Sequence, residues 1–453
     1  MHNRLLLTLA MTMYATTALA AAPPSTQELL DRVDALEKEV AELKAERSPQ
    51  KVPAVESRAT IGEIQTDAQR RSQLVDLQPL NLGYHPNRGL IIQSDDGRFL
   101  IHPWLFVQIR NDTTYRQDAV PEGGTQTDNG FELRRFKLGI DGNLYSKDLT
   151  YQFIQGFDRH NGNPMLEDAW VKYAIPGTPY FVRGGQIRNP LDHEQITFGT
   201  QQLTVERSLV ADIFAGGEGL VQGVAVGYDD GGAVRAEVAF TDGLRSQDTD
   251  FEDFPDTPAN WGASGRVEWK LTGDWNQYRA FSALGAKSDL LVLGAGMDFT
   301  EAGDTGQFTH VVDAHYASPS GLSLYAAYVG RYTANNQGPP NTNGGSAAPG
   351  PSADTYDPTF RVQAGYLVYP TWEPFVRYEY IHFDPAELTA GAEPVLHEFT
   401  AGINHYIYGQ RAKFSLDLSY LPNGSPVKND SSGVLINSGS NEWILRLQFQ
   451  FML

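Results

Sequence analysis

The sequence predicts an all-β chain, a transmembrane antiparallel β-barrel of about sixteen strands preceded by a short N-terminal coiled-coil helix. Three observations carry this prediction. From about residue 84 onward, apolar side chains recur at every second position. The connections between these runs alternate between short and long. Aromatic residues on the apolar face gather toward strand ends, as at Trp443, Tyr366, Tyr420, Tyr378 and Tyr380. A soluble sandwich or propeller would share the period of two. The loop asymmetry, the aromatic placement and a strand that runs to the last residue favour the membrane.

Composition narrows the function classes. The 453 residues include no Cys, 35 basic and 55 acidic side chains, for a formal charge of -20. Structural disulfides, Cys-ligated metal sites and thiol nucleophiles are therefore excluded. A general nucleic-acid binder is also disfavoured, because that function needs a basic face. With 41% apolar residues the average resembles a soluble protein, which excludes a bundle of membrane helices but not a barrel with alternating faces.

Residues 1–20 read as a secretory signal peptide: Arg4, an apolar stretch from Leu5 to Ala18, and a small-x-small site at Ala18-Leu19-Ala20. Its removal takes away Arg4, so the exported charge becomes 34 - 55 = -21. Residues 21–47 hold a short helix in which Leu29, Val33, Leu36, Val40 and Leu43 form a heptad seam. In a parallel pairing Arg32 meets Glu37 and Glu39 meets Lys44, which points to self-association through this seam. Residues 48–83, opened by Ser48, Pro49 and Pro53, read as a linker.

The barrel follows at 84–453. Its last run shows the pattern: Trp443, Leu445, Leu447, Phe449, Phe451 and Leu453 on one face, Glu442, Ile444, Arg446, Gln448, Gln450 and Met452 on the other. Sixteen such runs are expected, at about 98–116, 131–145, 149–158, 165–175, 180–188, 219–228, 232–242, 261–271, 290–300, 307–317, 321–333, 358–370, 374–384, 395–408, 411–421 and 440–453. The connection 272–289 should be short and is not, so a hidden strand near 278–284 or a register change is expected there. Leu453 stands where such barrels commonly place a terminal aromatic, leaving Phe451 and Phe449 to serve as the outward signal.

Three stretches resemble the phosphate-selective porin O and P family. They are Arg88 to Phe99 followed by Gln108-Ile109-Arg110; Phe131 to Gly142; and Asp168-Ala169-Trp170-Val171-Lys172-Tyr173 with Gly185-Gln186-Ile187-Arg188-Asn189-Pro190 and Glu206-Arg207-Ser208. The resemblance covers about residues 88–453. It implies a trimeric sixteen-strand outer-membrane porin of Gram-negative cells whose third external loop, 189–218 here, folds into the channel.

By alternation, Arg110, Arg135, Arg183, Arg235, Arg266, Arg331, Arg361, Arg377, Arg411 and Arg446 face the lumen. On the lipid face at the midplane each would cost about 2–4 kcal/mol. Arg188 and Arg207, in the loop that the resemblance places in the channel, are the best candidates for solute contact, with Glu194 and Glu206 as counter-charges. Glu237, Glu268 and Glu379 follow Arg235, Arg266 and Arg377 by two residues, and Asp417 and Glu398 share the lumen face, so neutral wall networks are the competing reading. Only ten Lys are present and the 242–256 loop is acidic, which sets at most a moderate anion preference.

Nothing points to catalysis or a cofactor. His310, His315, His382, His397 and His405 are not spaced as a metal motif, and there is no nucleophile elbow or P-loop. The expected function is passive diffusion of small hydrophilic solutes or ions, and the resemblance implies anions such as phosphate among them. The expected partners are outer-membrane lipid, lipopolysaccharide and like copies in a homotrimer, with no nucleic acid. The alternative is a membrane anchor whose periplasmic coiled coil tethers the cell wall or a partner.

Overall fold

The computed structural model describes Lys38 and residues 80–453, apart from 86–87, 119–124, 249–259, 337–352 and 389–391. The signal peptide, the seam Leu29, Val33, Leu36, Val40 and Leu43, most of the linker and the acidic stretch 249–256 lie outside the described residues.

Two short strands, β1 (Leu80–His85) and β2 (Gly89–Ser94), form a hairpin ahead of the barrel. The wall then begins with β3 (Leu100–Arg116), β4 (Thr127–Asn143), β5 (Leu149–Phe157) and β6 (Pro164–Ala174). It continues through β7 (Tyr180–Arg188), β8 (Leu220–Asp229), β9 (Val234–Thr241) and β10 (Trp261–Thr272). The second half comprises β11 (Leu290–Ala302), β12 (Thr305–Ala317), β13 (Leu322–Asn336) and β14 (Ala353–Tyr366). The last four are β15 (Trp372–His382), β16 (Val395–Tyr408), β17 (Ala412–Leu421) and β18 (Glu442–Met452). Every neighbouring pair is antiparallel, and β18 returns to β3 from Glu442↔Arg116 to Met452↔Phe106. That last pairing closes the ring of sixteen, β3 to β18, and leaves no edge in the membrane. Among the described residues the β1–β2 hairpin pairs with the ring only at Ile92↔Ile101 and Gln93↔Leu100, so it is an appendage and not part of the closure.

Each of the sixteen expected runs corresponds to one strand. The alternation explains why: in β18, Trp443, Leu445 and Leu447 are exposed to lipid while Glu442, Ile444, Arg446, Gln448 and Gln450 are buried inside. Val238 and Phe240 are more than 60% exposed for the same reason, since they face acyl chains instead of water.

Two connections depart from the expectation. Residues 273–289 hold no strand; a single 3-10 turn, Gln277–Arg279, is followed by a chain that turns into the barrel. The link between β11 and β12 is only 303–304, although it lies on the long-loop side.

Inside the barrel the long connection 189–219 carries α1 (His193–Ile196) and α2 (Leu209–Phe214). Ser208 caps α2 by accepting the Ala211 N–H at 3.0 Å. Leu209, Val210, Ile213 and Phe214 of α2 pack with wall residues Val311, Val329, Ile381, Leu396, Leu421 and Ile444. Inward apolar groups such as Ile444 therefore mark where α2 docks, and smaller apolar clusters occur elsewhere on the wall, as at Trp104, Phe106 and Ile154 beside Phe198 of the loop.

Candidate channel and constriction

The constriction is built around Glu206. Its carboxylate accepts from Arg110 Nη1 at 2.8 Å, Arg134 Nε at 2.7 Å and Arg135 Nη2 at 2.5 Å. Burial alone would raise the Glu206 carboxyl, but Arg134, Arg135 and Arg110 hold it well below the usual carboxylate range. Two consecutive arginines point the same way because β4 bulges there: Gln108 pairs with Arg135 and Ile109 with Leu133, leaving Arg134 as the extra residue.

A second clamp holds the start of the loop. Arg361 pairs with Asp192 and, through Nε at 3.0 Å, with Glu194, whose other contacts are the Ser208 N–H at 2.9 Å and Oγ at 2.6 Å. Arg377 Nη1 donates to Thr204 Oγ1 at 2.7 Å and to the Glu206 carbonyl at 2.8 Å, while its Nε lies 2.7 Å from Glu379. Gly296 gives the loop room at the opposite wall, since a Cβ there would lie 2.0 Å from the Leu191 carbonyl oxygen.

Most of the remaining expected lumen arginines are also paired. Arg446 bonds Asp417 at 2.7 Å, its partner across the β17–β18 ladder. Arg266 grips both oxygens of Asp313, at 2.8 and 2.9 Å. Arg331 pairs with Asp357 and Glu387, Arg183 with Glu237, and Arg235 with Asp229. Arg411 instead sits at the short-turn rim, where Nε donates to the Met452 carbonyl at 3.2 Å.

The two loop arginines differ from the expectation in their partners. Arg188 pairs with Asp168 at 3.0 Å, and Arg207 is held by the Thr197 carbonyl at 2.9 Å with Glu218 at 3.8 Å. Neither Glu194 nor Glu206 is the counter-charge of Arg188. Arg207 is 4% exposed and braces the loop's own backbone, whereas the Arg188 side chain keeps 12% exposure.

Several residues of the site were not legible by alternation. Arg134 counts onto the lipid face unless a bulge is assumed; the cost of an outward arginine was the available signal. Lys137, paired with Glu167, and Arg159, 3.3 Å from Glu132, also lie inside. His193 stacks on Tyr278 of the 273–289 segment with centroids 3.8 Å apart, a contact between two connections that no strand pattern encodes.

Spaces lined by charged residues lie along the wall among the described residues. One of about 420 Å³ opens at the long-loop rim beside Asp112, Glu132, Arg159, His160 and Asp430. Another, of about 200 Å³, lies below the loop between Lys172, Arg235, Glu237, Arg266 and Glu268, roofed by Pro190 and Ile196.

Comparison with known proteins agrees with this architecture. Residues 107–265 match the family described as phosphate-selective porin O and P. Solved structures of similar fold include an anion-selective porin from Comamonas acidovorans, at 11% identity and TM-score 0.53, covering 78% of this chain and 99% of that one. Pseudomonas putida OprB follows at 10% identity and TM-score 0.53, with coverages of 77% and 94%. The outer-membrane channel DcaP of Acinetobacter baumannii has 13% identity and TM-score 0.51, with coverages of 79% and 99%. No curated protein matches the sequence. The closed sixteen-strand barrel with its inward loop is thus similar in fold to solved outer-membrane porins, and residues 107–265 match the phosphate-selective porin O and P family.

Proposed function

We propose that this porin passes small hydrophilic solutes by passive diffusion, with at most a moderate preference for anions, and that it works as a homotrimer among outer-membrane lipid and lipopolysaccharide without catalysing a reaction. The observation that carries the selectivity reading is the Glu206 cluster, in which one carboxylate of the loop engages three arginines of the wall. An arginine already bonded to a carboxylate offers a passing phosphate only what it loses from its own partner. A strongly phosphate-selective pore would need cations whose donors are unspent.

Arg188 comes nearest to that description. Its side chain keeps partial exposure, and its Nη1, itself buried, has no hydrogen-bond partner among the described residues. We assign it the main solute contact and give Arg207 a bracing role. Glu218 opposes anions: it lies 3.9 Å from Lys137 and 3.8 Å from Arg207, close enough to screen both charges.

Purified, folded protein in planar bilayers tests the reading. Stepwise conductance and a small anion-side reversal potential in a salt gradient are expected. Lack of conductance would remove the channel reading, and a cation-side potential would remove the anion preference. Cross-linking in native membranes should stop at three copies.

A further inference from the structure

On the short-turn side, 273–289 turns inward against the barrel wall. Trp275 Nε1 donates to the Gly232 carbonyl at 2.8 Å, and Arg235 lies over its ring at 4.2 Å. Tyr278 OH receives Arg266 Nη2 at 3.0 Å and donates to Glu268 at 3.0 Å. Phe281 N–H donates to the Gln201 carbonyl of the constriction loop at 3.1 Å, and Ser282 Oγ donates to Glu373 at 2.9 Å. Tyr278, Phe281 and Ser282 are all buried. This segment is thus docked against the loop that enters from the other side.

The seam between them holds an unusual pair. His193 of the loop is stacked parallel on Tyr278, and His315 of β12 lies 5.5 Å from it between ring centroids. Phe281 and Tyr325 enclose both rings. The two histidines are 3% and 0% exposed, and all four ring nitrogens lack a hydrogen-bond partner among the described residues. Buried polar groups are rarely left so.

We propose that 273–289 is a periplasmic plug whose docking on the constriction loop depends on His193 and His315 being neutral, so that acid releases it and opens the channel. The charged and titratable groups facing the pair bear this out. Arg266 and Glu268 approach from β10, Asp313 from β12, Tyr325 from β13, Arg361 from β14, Tyr278 from the plug, and Asp192 and Glu194 from the loop itself. Asp313 is already held by both arms of Arg266, and Asp192 and Glu194 by Arg361. An imidazolium would have two N–H donors, while each facing carboxylate is already paired with an arginine, Asp313 and Glu268 with Arg266 and Asp192 and Glu194 with Arg361. Stacking a cation on Tyr278 offsets only part of the desolvation of a full charge.

The sign is consistent. Burial first, then His315, Arg266 and Arg361, pushes His193 well below its ordinary range. A histidine depressed in the docked state favours docking above its free value, near pH 6.5, and opposes it progressively as pH falls below that value.

The inference rests on the channel reading, and conductance separates the two. Single-channel recording from about pH 7.5 to about pH 5 should show the open-to-closed ratio rising, by up to roughly tenfold per pH unit below about 6 for each histidine protonated. His193→Phe keeps the stack and leaves only His315 to take a proton, and should make the profile shallower at low conductance. Tyr278→Ala, and replacement of 274–288 by a short Gly-Ser turn, should raise conductance at neutral pH. A conducting wild type with a flat or inverted profile, or a His193→Phe profile like wild type, would overturn the gate and leave the channel standing. Silence of all proteins at every pH would overturn both.

Discussion

Arg134 Nε donates to Glu206 Oε2 at 2.7 Å, although strict alternation along β4 would turn Arg134 toward lipid. One inserted residue brings two arginines onto a loop carboxylate and so ties the wall to the constriction. Glu206→Gln should therefore leave Arg110, Arg134 and Arg135 crowded without their shared anion. Removing one partner of a buried ion pair costs about 3–5 kcal/mol. The expected result is a looser loop, larger conductance and a reversal potential moved toward anions; an unchanged pore would show that the cluster is passive.

Glu218→Gln tests selectivity without disturbing that cluster. Its carboxylate lies at long range from Lys137 and Arg207 on a turn whose neighbours Gly216, Gly217 and Gly219 all have positive φ. Loss of a partly screened charge, worth about 0.4–1 kcal/mol, should raise anion over cation permeability by about two- to fivefold. Reversal potentials in a salt gradient give this ratio.

Gly296→Val should unseat the loop from the opposite wall. The close approach to the Leu191 carbonyl leaves no room for a Cβ, and the obstacle is backbone. Increased conductance with preserved heat-modifiable mobility in gels would place the defect in the loop; loss of the folded band would place it in the barrel.

Phe214→Ala should act on the same loop through packing. Phe214 is 1% exposed in the cluster with Phe383 and Ile381, and such truncations cost about 3–5 kcal/mol. Noisier single-channel currents are the expected readout.

Acid should act on the two connections differently. Glu206, depressed by its arginines, keeps its stabilising contribution above ordinary carboxylate values near pH 4.3 and loses it only as pH falls through its lower folded value. Between about pH 7 and about pH 5, then, the loop should stay docked while the plug responds. Limited proteolysis across that range should expose 273–289 before 189–219.

The sequence by itself determined the sixteen strands, their faces and the inward turn of most arginines, because lipid on one side and polar lumen on the other impose a period of two on every strand. It also carried the family resemblance that pointed to 189–218 as the inward loop. Which carboxylate meets which arginine was decided only by tertiary structure: Glu206 reaches β3 across 96 residues of chain and β4 across 71, and Glu194 reaches β14. The bulge at Arg134 and the entry of 273–289 were likewise invisible to periodicity. A bulge breaks the period locally, and a buried turn has none; both are fixed by contacts between segments distant along the chain.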